Sequence, residues 1–326
     1  MKHRSRLICL IVALALVLLA LIPCYCWMRL REGFQEQTAA ERWRGSNDAH
    51  FAQVSCFLDE RAGITADQEY AVRQSLEDTL AGETEERWIL ALSGSCSVTA
   101  ARNSTQITAR GVYTSGSYNH FHPIQMVSGS WFDPKEVNRD GVVLDMQLAW
   151  KLFGGYDLQG MSITINGIPV QISGVARVPE TAVEQDIYGQ TPTLWLSMDL
   201  MNRLGMYAAA TYVEAVLPNP VENFAVEKLK SVLGSGSTIE IIENTGRFRF
   251  LNCLKVFLHP DSRVVRTSSV AYPYWENAAR VAESRCGMYA AAIVLLMVFP
   301  VTVALYWVSR GLKWMRCQGR ALLRKR

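Results

Sequence analysis

Two long stretches without any charged residue constrain this chain more than any other feature of its sequence. They run from 7 to 28 and from 286 to 309, which is 22 and 24 residues. A helix needs roughly 20 consecutive apolar residues to cross a lipid bilayer. The sequence therefore predicts two transmembrane helices, 7–28 and 286–309, with residues 29–285 between them as one large polar domain.

The charged residues are divided unevenly between the ends and the middle of the chain. Of the 33 Lys and Arg residues, ten lie in 1–6 and 310–326, where no Asp or Glu occurs. The net charge is only +3, so the middle is acidic. Because basic flanks stay in the cytoplasm, we expect a cytoplasmic N-terminus, a basic cytoplasmic tail and an extracytoplasmic domain in the cell membrane. An acidic domain also excludes a nucleic-acid-binding face.

The first apolar stretch has alternative interpretations. A short basic start followed by an apolar run is also typical of a secretory signal peptide, for which about 7 to 15 apolar residues suffice. The run here is longer. A lipoprotein cleavage site at 21–24 is a further alternative, but Pro23 stands where a small residue is expected. We therefore expect a retained anchor.

The polar domain shows the patterns of an α+β fold close to both spans. Residues 29–44 and 275–283 predict helical stalks that continue the membrane helices. Thr65 and Gln68 form a capping box that opens a helix. Between 211 and 242, strand, helix and strand patterns follow one another, with Asn219 as the predicted helix cap. This order predicts a membrane-proximal βαβ part.

A β-rich module, about 113–205, is predicted as an insertion into this βαβ part. Residues 141–144 predict a buried strand, after which Asp145 caps a short helix. Asn166-Gly167 lies between alternating apolar positions and predicts a type I′ hairpin. The aromatic residues of the module are expected to fill its core; they are Trp131, Phe132, Trp150 and Phe153.

Candidate chemistry is sparse. The sequence has no glycine-rich phosphate loop followed by Lys-Ser or Lys-Thr, so we expect no ATP hydrolysis by this chain. His120 and His122 would lie on the same side of an extended segment, which is half of a metal site, but no third ligand has a diagnostic spacing. The alternative is a polar strand edge. The segments 93–95 and 115–117, both Ser-Gly-Ser, predict turns. No catalytic residue, metal or cofactor is predicted.

Cysteine usage leaves the disulfide state open. Cys56, Cys96 and Cys253 belong to the predicted polar domain, whereas the other cysteines lie in or beside the spans or in the tail. Their spacing matches no metal motif. One disulfide and three buried thiols are equally compatible with the sequence.

Three consecutive runs in the middle of the chain carry a resemblance to a known family. They are HPIQMVSGSWFDP, GVVLDMQLAWKLFGG and LQGMSITINGIPVQISGVARV, within 122–178. Together they resemble the core domain of MacB/FtsX-type ABC transporter permeases, in a short two-span form. Glu243-Asn244 with Arg247, and 273–277, look like features of a Gram-positive branch.

The resemblance implies a partner and a role. It implies a separate ABC ATPase and movement that passes through the stalks to the outer domain, often in a dimer. Family members carry four or more membrane helices, so we also expect a companion permease chain or a truncated paralogue. We therefore expect a non-enzymatic membrane subunit of an export or mechanotransmission complex. The alternative is a free-standing membrane-anchored sensor or scaffold that binds an extracellular peptide or envelope component.

Overall fold

A computed structural model describes residues 2–46, 48–82, 87–132, 141–177, 191–207, 209–236, 238–259 and 270–323. The chain separates into two compact units. The sheet unit comprises Phe34–Arg247 and Val265–Arg280, and the helical unit comprises Met1–Gly33, Phe248–Val264 and Val281–Arg326. The sequence also predicts a polar loop over 177–191, which lies almost entirely outside the described residues.

The described elements alternate between strands and short helices, and two long helices stand at the ends. The strands are β1 (Phe51–Leu58), β2 (Ile64–Thr65), β3 (Ile89–Arg102), β4 (Thr105–Gly116), β5 (Met126–Gly129), β6 (Gly141–Asp145), β7 (Ser162–Ile165), β8 (Ile168–Ala176), β9 (Thr193–Ser197), β10 (Ala209–Ala210), β11 (Tyr212–Pro218) and β12 (Ile239–Glu243). The helices are α1 (Lys2–Gly33), α2 (Ala39–Arg44), α3 (Ala66–Leu80), α4 (Tyr118–Phe121), α5 (Met146–Phe153), α6 (Met198–Arg203), α7 (Phe224–Leu233), α8 (Phe250–Leu258) and α9 (Tyr274–Leu323).

Four antiparallel strands in the order β12-β1-β11-β3 form the frame of the sheet unit. The connections β1-α3-β3 and β11-α7-β12 each skip one strand, so the two βαβ units interlock. This is the split βαβ arrangement. Helices α3 and α7 pack together, and their Leu76, Leu80 and Leu229 are buried in the main core. Each such leucine stabilises the fold by about 2 kcal/mol.

Six further described strands continue the same sheet from β3, in the order β4-β9-β6-β8-β5, with β7 pairing with β3 and β8. Strands β2 and β10 pair with each other in a separate two-stranded sheet. The hairpin of β3 and β4 pairs over its whole length, and β4 then runs parallel to β9. A mixed α/β fold is therefore confirmed, with a βαβ frame and a β-rich extension.

Short-range signals predicted the correct structure in three places. The capping box of Thr65 and Gln68 opens α3. Asp145 caps α5 by accepting a 2.6 Å hydrogen bond from the backbone N–H of Leu148. Asn166 and Gly167 join β7 to β8 with φ of +49° and +87°, as a type I′ turn requires.

The predicted turn at 93–95 is wrong, because these residues lie inside the continuous strand β3. Gly94 pairs with Tyr113, and a Cβ at Gly94 would be 2.5 Å from the Tyr113 ring. The glycine therefore makes room for the tyrosine to cross the strand. Gly116, in the second Ser-Gly-Ser segment, does end β4 with a φ of +68°.

Three further expectations are corrected. The helical stalk predicted over 29–44 is interrupted, because α1 ends at Gly33 and the chain passes through a 3₁₀ turn at Gln35–Gln37 before α2. Helix α7 begins at Phe224 and not directly after the predicted cap Asn219, although Asn219 still accepts a bond from the N–H of Ala225. Trp150 is exposed, since α5 turns its neighbours Leu148, Ala149 and Leu152 to the core instead.

Two helices have the length and composition of membrane spans. They cover Arg6–Gly33 and Tyr274–Met315, and the apolar window of 18 residues within each has a mean hydropathy of 3.2 and 2.4, respectively. Helix α9 is continuous through the segment 275–283, as the sequence predicted.

Candidate functional site

The first turns of α9 are held in the sheet unit by a buried ion pair. Arg247 donates from Nη1 to Glu276 Oε2 at 2.7 Å and from Nη2 to Glu276 Oε1 at 2.9 Å. The two side chains are at most 1% exposed. Because Arg presents its donors as a planar fork that matches a carboxylate, this geometry fixes orientation as well as distance.

A second arginine extends this pair toward β12. Arg280 donates from Nε to Glu276 Oε1 at 2.7 Å and from Nη2 to Glu240 Oε1 at 2.9 Å. Its guanidinium also lies 3.9 Å from the centre of the Tyr272 ring, whose hydroxyl bonds to Glu240. We call Arg247, Glu276, Arg280 and Glu240 the helix anchor. Opposite charges alternate along it, so each buried charge meets a partner.

The loop that carries Arg247 is itself fixed to β1. Asn244 of this loop is buried; its backbone N–H donates to Gln53 O at 2.8 Å, and its Nδ2 donates to Ser55 Oγ at 2.7 Å. The N–H of Arg247 then donates to Asn244 O at 3.1 Å. Sheet, loop and helix start are therefore joined by consecutive polar contacts.

A buried histidine lies next to the same helix start. The Nε2–H of His122 donates to Glu214 Oε2 on β11 at 2.5 Å, and the two side chains are 3% and 1% exposed. The ring of His122 stacks on Tyr118, with centroids 4.5 Å apart, and lies 5.0 Å from that of Trp275 on α9. The pair thus joins α4, β11 and α9.

The charge environment favours a protonated His122. Burial alone lowers the pKa of the imidazole, but the carboxylate of Glu214, with a smaller contribution from Glu36, outweighs burial and the nearby Arg42, so the pKa is raised above its usual value. Within the described residues, His122 Nδ1 and Glu214 Oε1 have no hydrogen-bond partner. The pair is therefore close in geometry, and each partner keeps one polar atom without a hydrogen bond in the described residues.

The two predicted candidate ligands are separated by the structure. His120 and His122 do not lie on an extended segment: His120 belongs to α4 and His122 follows its last residue. His120 Nε2 is 3.1 Å from Ala39 O, whereas His122 faces Glu214. In the described part of the chain, no group of three or more His, Cys, Asp or Glu residues is arranged for a metal ion.

A groove of about 770 Å³ opens in the sheet unit between α3 and the start of α6. It combines charged groups with aromatic surface. Glu69 in the groove binds Arg73 at 2.9 Å and also Ser115. The aromatic part of its lining is Tyr70, Trp131 and Phe132. Sequence reasoning did not find this groove, because its residues come from five separate elements, α3, β4, α4, β9 and α6, and from the segment at 131–132.

The sequence matches the family described as the MacB-like periplasmic core domain over residues 30–230. This chain belongs to that family. Two apolar helices therefore flank a MacB-like periplasmic core domain of the kind found in ABC-type transporter permeases. The resemblance seen within 122–178 is confirmed and extends across most of the sheet unit.

Solved structures of low sequence identity are similar to the MacB-like core domain. The periplasmic region of MacB from Actinobacillus actinomycetemcomitans is 15% identical, with a TM-score of 0.44, over 64% of this chain and 94% of its own. The extracellular domain of the ABC-type transporter YknZ from Gram-positive bacteria is 12% identical, with a TM-score of 0.42, over 58% and 99%. No curated protein matches the chain.

Residues 30–230 include both partners of the His122–Glu214 pair but not the helix anchor. The sequence drew attention to Glu243-Asn244, Arg247 and 273–277 only through the resemblance. The structure shows why these two segments belong together, because Arg247 from the first segment binds Glu276 from the second.

Proposed function

We propose that this MacB-like protein is a non-enzymatic membrane subunit of an ABC-type export or mechanotransmission complex. The observation that carries the proposal is the helix anchor, in which Arg247 binds the second residue after the start of α9. A subunit that passes movement between a membrane helix and a sheet needs a stiff joint at that helix. The forked, buried pair of Arg247 and Glu276 supplies such a joint.

The stiffness follows from the cost of breaking the anchor. Removing one partner of a buried ion pair leaves an uncompensated charge, at about 3 to 5 kcal/mol. A displacement of the first turns of α9 therefore moves β12 and β1 with it, rather than sliding past them. The sheet would then respond to work done on the helix.

The energy for that work has to come from another chain, because the sequence contains no phosphate-binding loop. The family is one of ABC-type transporter permeases, which is consistent with an ATPase partner. We propose an ABC ATPase and a companion permease chain as partners, and a homodimer as the assembly. The basic ends favour an orientation with both termini in the cytoplasm and the sheet unit outside.

Purification of the tagged chain from native membranes in a mild detergent tests the proposal. We expect an ABC ATPase to be recovered with it, and ATP binding to change hydrogen exchange at β12 and at 244–247. Glu276→Gln should keep the ATPase and lose the exchange response, whereas the exposed Glu227→Gln should keep both. Repeated recovery without an ATPase, even after cross-linking, would overturn the proposal.

The groove favours a second candidate, a membrane-anchored sensor or scaffold. Its mixture of ionic and aromatic lining suits a peptide that offers both charged and apolar side chains. Binding of an envelope component by the detergent-solubilised protein, weakened by Tyr70→Ala, would support this role. Retention of the ATPase without any such binding would favour the transporter subunit.

A further inference from the structure

Two cysteines of the helical unit lie against each other where α8 packs on α9. Cys253 of α8 and Cys286 of α9 are both fully buried. Each thiol is the hydrogen-bond partner of the other. The sequence did not suggest this pair, because Cys286 stands at the edge of the second apolar stretch, 33 positions from Cys253.

The backbones approach closely at the same point. Gly287 follows Cys286, and a Cβ on Gly287 would be 3.0 Å from Cys253 O and 3.2 Å from Phe257 Cβ. A disulfide requires Cα atoms within about 4.4 to 6.8 Å of each other. A helix pair brought together by a glycine beside one cysteine, with the two thiols hydrogen-bonded to each other, is compatible with this requirement.

The other two cysteines of the polar domain cannot pair with each other. Cys56 is on β1 and Cys96 is on β3, and β11 lies between these strands. Two strand spacings amount to about 9.6 Å, which exceeds the reach of a disulfide. Burial also raises the pKa of Cys56 to about 12, so its thiol stays protonated.

We propose that Cys253 and Cys286 form a disulfide that fastens α8 to α9. The proposal rests on the proposed orientation, which places these residues at the extracytoplasmic end of the second predicted span, on the side of the membrane where disulfides form and persist. The bond makes the α8–α9 contact covalent, so that α8 stays on α9 when the longer helix moves.

The oxidation balances with a disulfide-bearing oxidant of the extracytoplasmic space, either a thiol–disulfide oxidoreductase or a small-molecule disulfide. One cysteine, as a thiolate, attacks a sulfur of the oxidant, and a mixed disulfide forms as the oxidant's own S–S bond breaks. The second cysteine displaces the oxidant. One S–S bond forms in the protein, both cysteine sulfurs are oxidised, and the oxidant leaves as two thiols that carry the two protons.

Peptide mass spectrometry on the full chain tests the bond without any variant. Membranes are quenched in acid, and all thiols are alkylated under denaturing conditions without a reductant. We expect Cys253 and Cys286 peptides to be linked, two hydrogens lighter than their sum, while Cys56 and Cys96 carry the alkyl group. Cys253→Ser should make Cys286 alkylatable, and Cys96→Ser should leave the linked peptide unchanged. Alkylation of both Cys253 and Cys286 in the wild-type chain would overturn the proposal.

A second measurement separates the bond from the orientation. Tyr70 is exposed on α3, so Tyr70→Cys should react with a membrane-impermeant maleimide on intact cells if the sheet unit is outside. Labelling at this position together with alkylated Cys253 and Cys286 overturns the disulfide and leaves the proposed orientation in place. If the linked peptide is found but no ABC ATPase is recovered with the chain, the disulfide is supported and the proposed role as a transporter subunit is overturned.

Discussion

Arg247 and Glu276 are 29 positions apart in sequence and meet in a two-point hydrogen-bonded pair that is almost completely buried. Asn244 and Arg280 contact the same two side chains. The start of α9 is therefore part of the polar network of the sheet, in addition to the apolar cluster that Trp275 forms with Phe57 and Ile242.

The charge balance of this buried pair predicts that the effects of substitutions at Arg247 and Glu276 on the free energy of unfolding are strongly non-additive. Arg247→Met alone should lower the free energy of unfolding by about 3 to 5 kcal/mol, because Glu276 is left buried without its main partner. Glu276→Gln alone should act similarly. The double variant should be clearly less destabilised than the sum of the two, measured by denaturant unfolding in detergent. Strictly additive losses would contradict the coupling.

The raised pKa of His122 predicts stability that falls as the pH rises. In the folded protein the carboxylate of Glu214 raises the pKa of His122 above its ordinary value of about 6.5. The stabilising contribution is complete below that value and disappears as the pH rises through the raised pKa of the folded state. The melting temperature should therefore fall as the pH is raised above about 6.5.

A histidine variant isolates this effect from other titrations. His122→Gln keeps a hydrogen-bond donor but cannot titrate, so its melting temperature should change less over the same pH range. His50 is exposed, and His50→Gln should follow the wild-type profile. Equal pH dependence of the melting temperature in all three proteins would show that protonation of His122 beside Glu214 does not contribute to stability.

Asp145 is predicted to stabilise the β-rich part through two bonds at once. Its carboxylate accepts from the N–H of Leu148 and from the N–H of Thr193, each at 2.6 Å, and it is fully buried. Asp145→Ala removes the helix cap and leaves a buried donor unpaired, which should cost about 3 kcal/mol. Asp145→Asn should cost less, and the exposed Asp78→Ala should be near neutral in the same unfolding assay.

Two glycines of α9 form a matched pair for the α8–α9 contact. Leucine at Gly287 would collide with Cys253 and Phe257, so Gly287→Leu should lower the melting temperature in detergent. A Cβ at Gly311 would meet no described heavy atom within 4 Å, so Gly311→Leu should be neutral or slightly stabilising, since leucine favours helix. Equal melting temperatures for the two variants would contradict the packing of α8 on α9.

Features set by neighbouring residues were predictable from the sequence. The caps of α3 and α5 and the Asn166-Gly167 turn each depend on groups within a few positions, so the residue types alone identify them. The two apolar stretches were predictable for the same reason. The signal at Gly94 was misinterpreted, because the residue that requires a glycine there is Tyr113 on the opposite strand.

The candidate site depends on contacts that no local pattern encodes. His122 and Glu214 are 92 positions apart, and nothing near either residue indicates the other. The anchor residues were noticed only through the resemblance to a family, and their pairing needed the fold. The pairing of Cys253 with Cys286 also needed the fold, because the sequence assigns Cys253 to the polar domain and Cys286 to the second apolar stretch.

The strand order of the frame differs from the order of synthesis. β1 is made early, but both of its neighbours, β11 and β12, follow the whole of the β-rich extension. One of its edges therefore stays open until the chain has emerged as far as Pro218, and the other until it has emerged as far as Glu243. Since pairing between distant strands is slow and open edges attract other strands, the nascent chain is most exposed to aggregation at this stage. A translation stall inside the extension would leave the entire frame unformed.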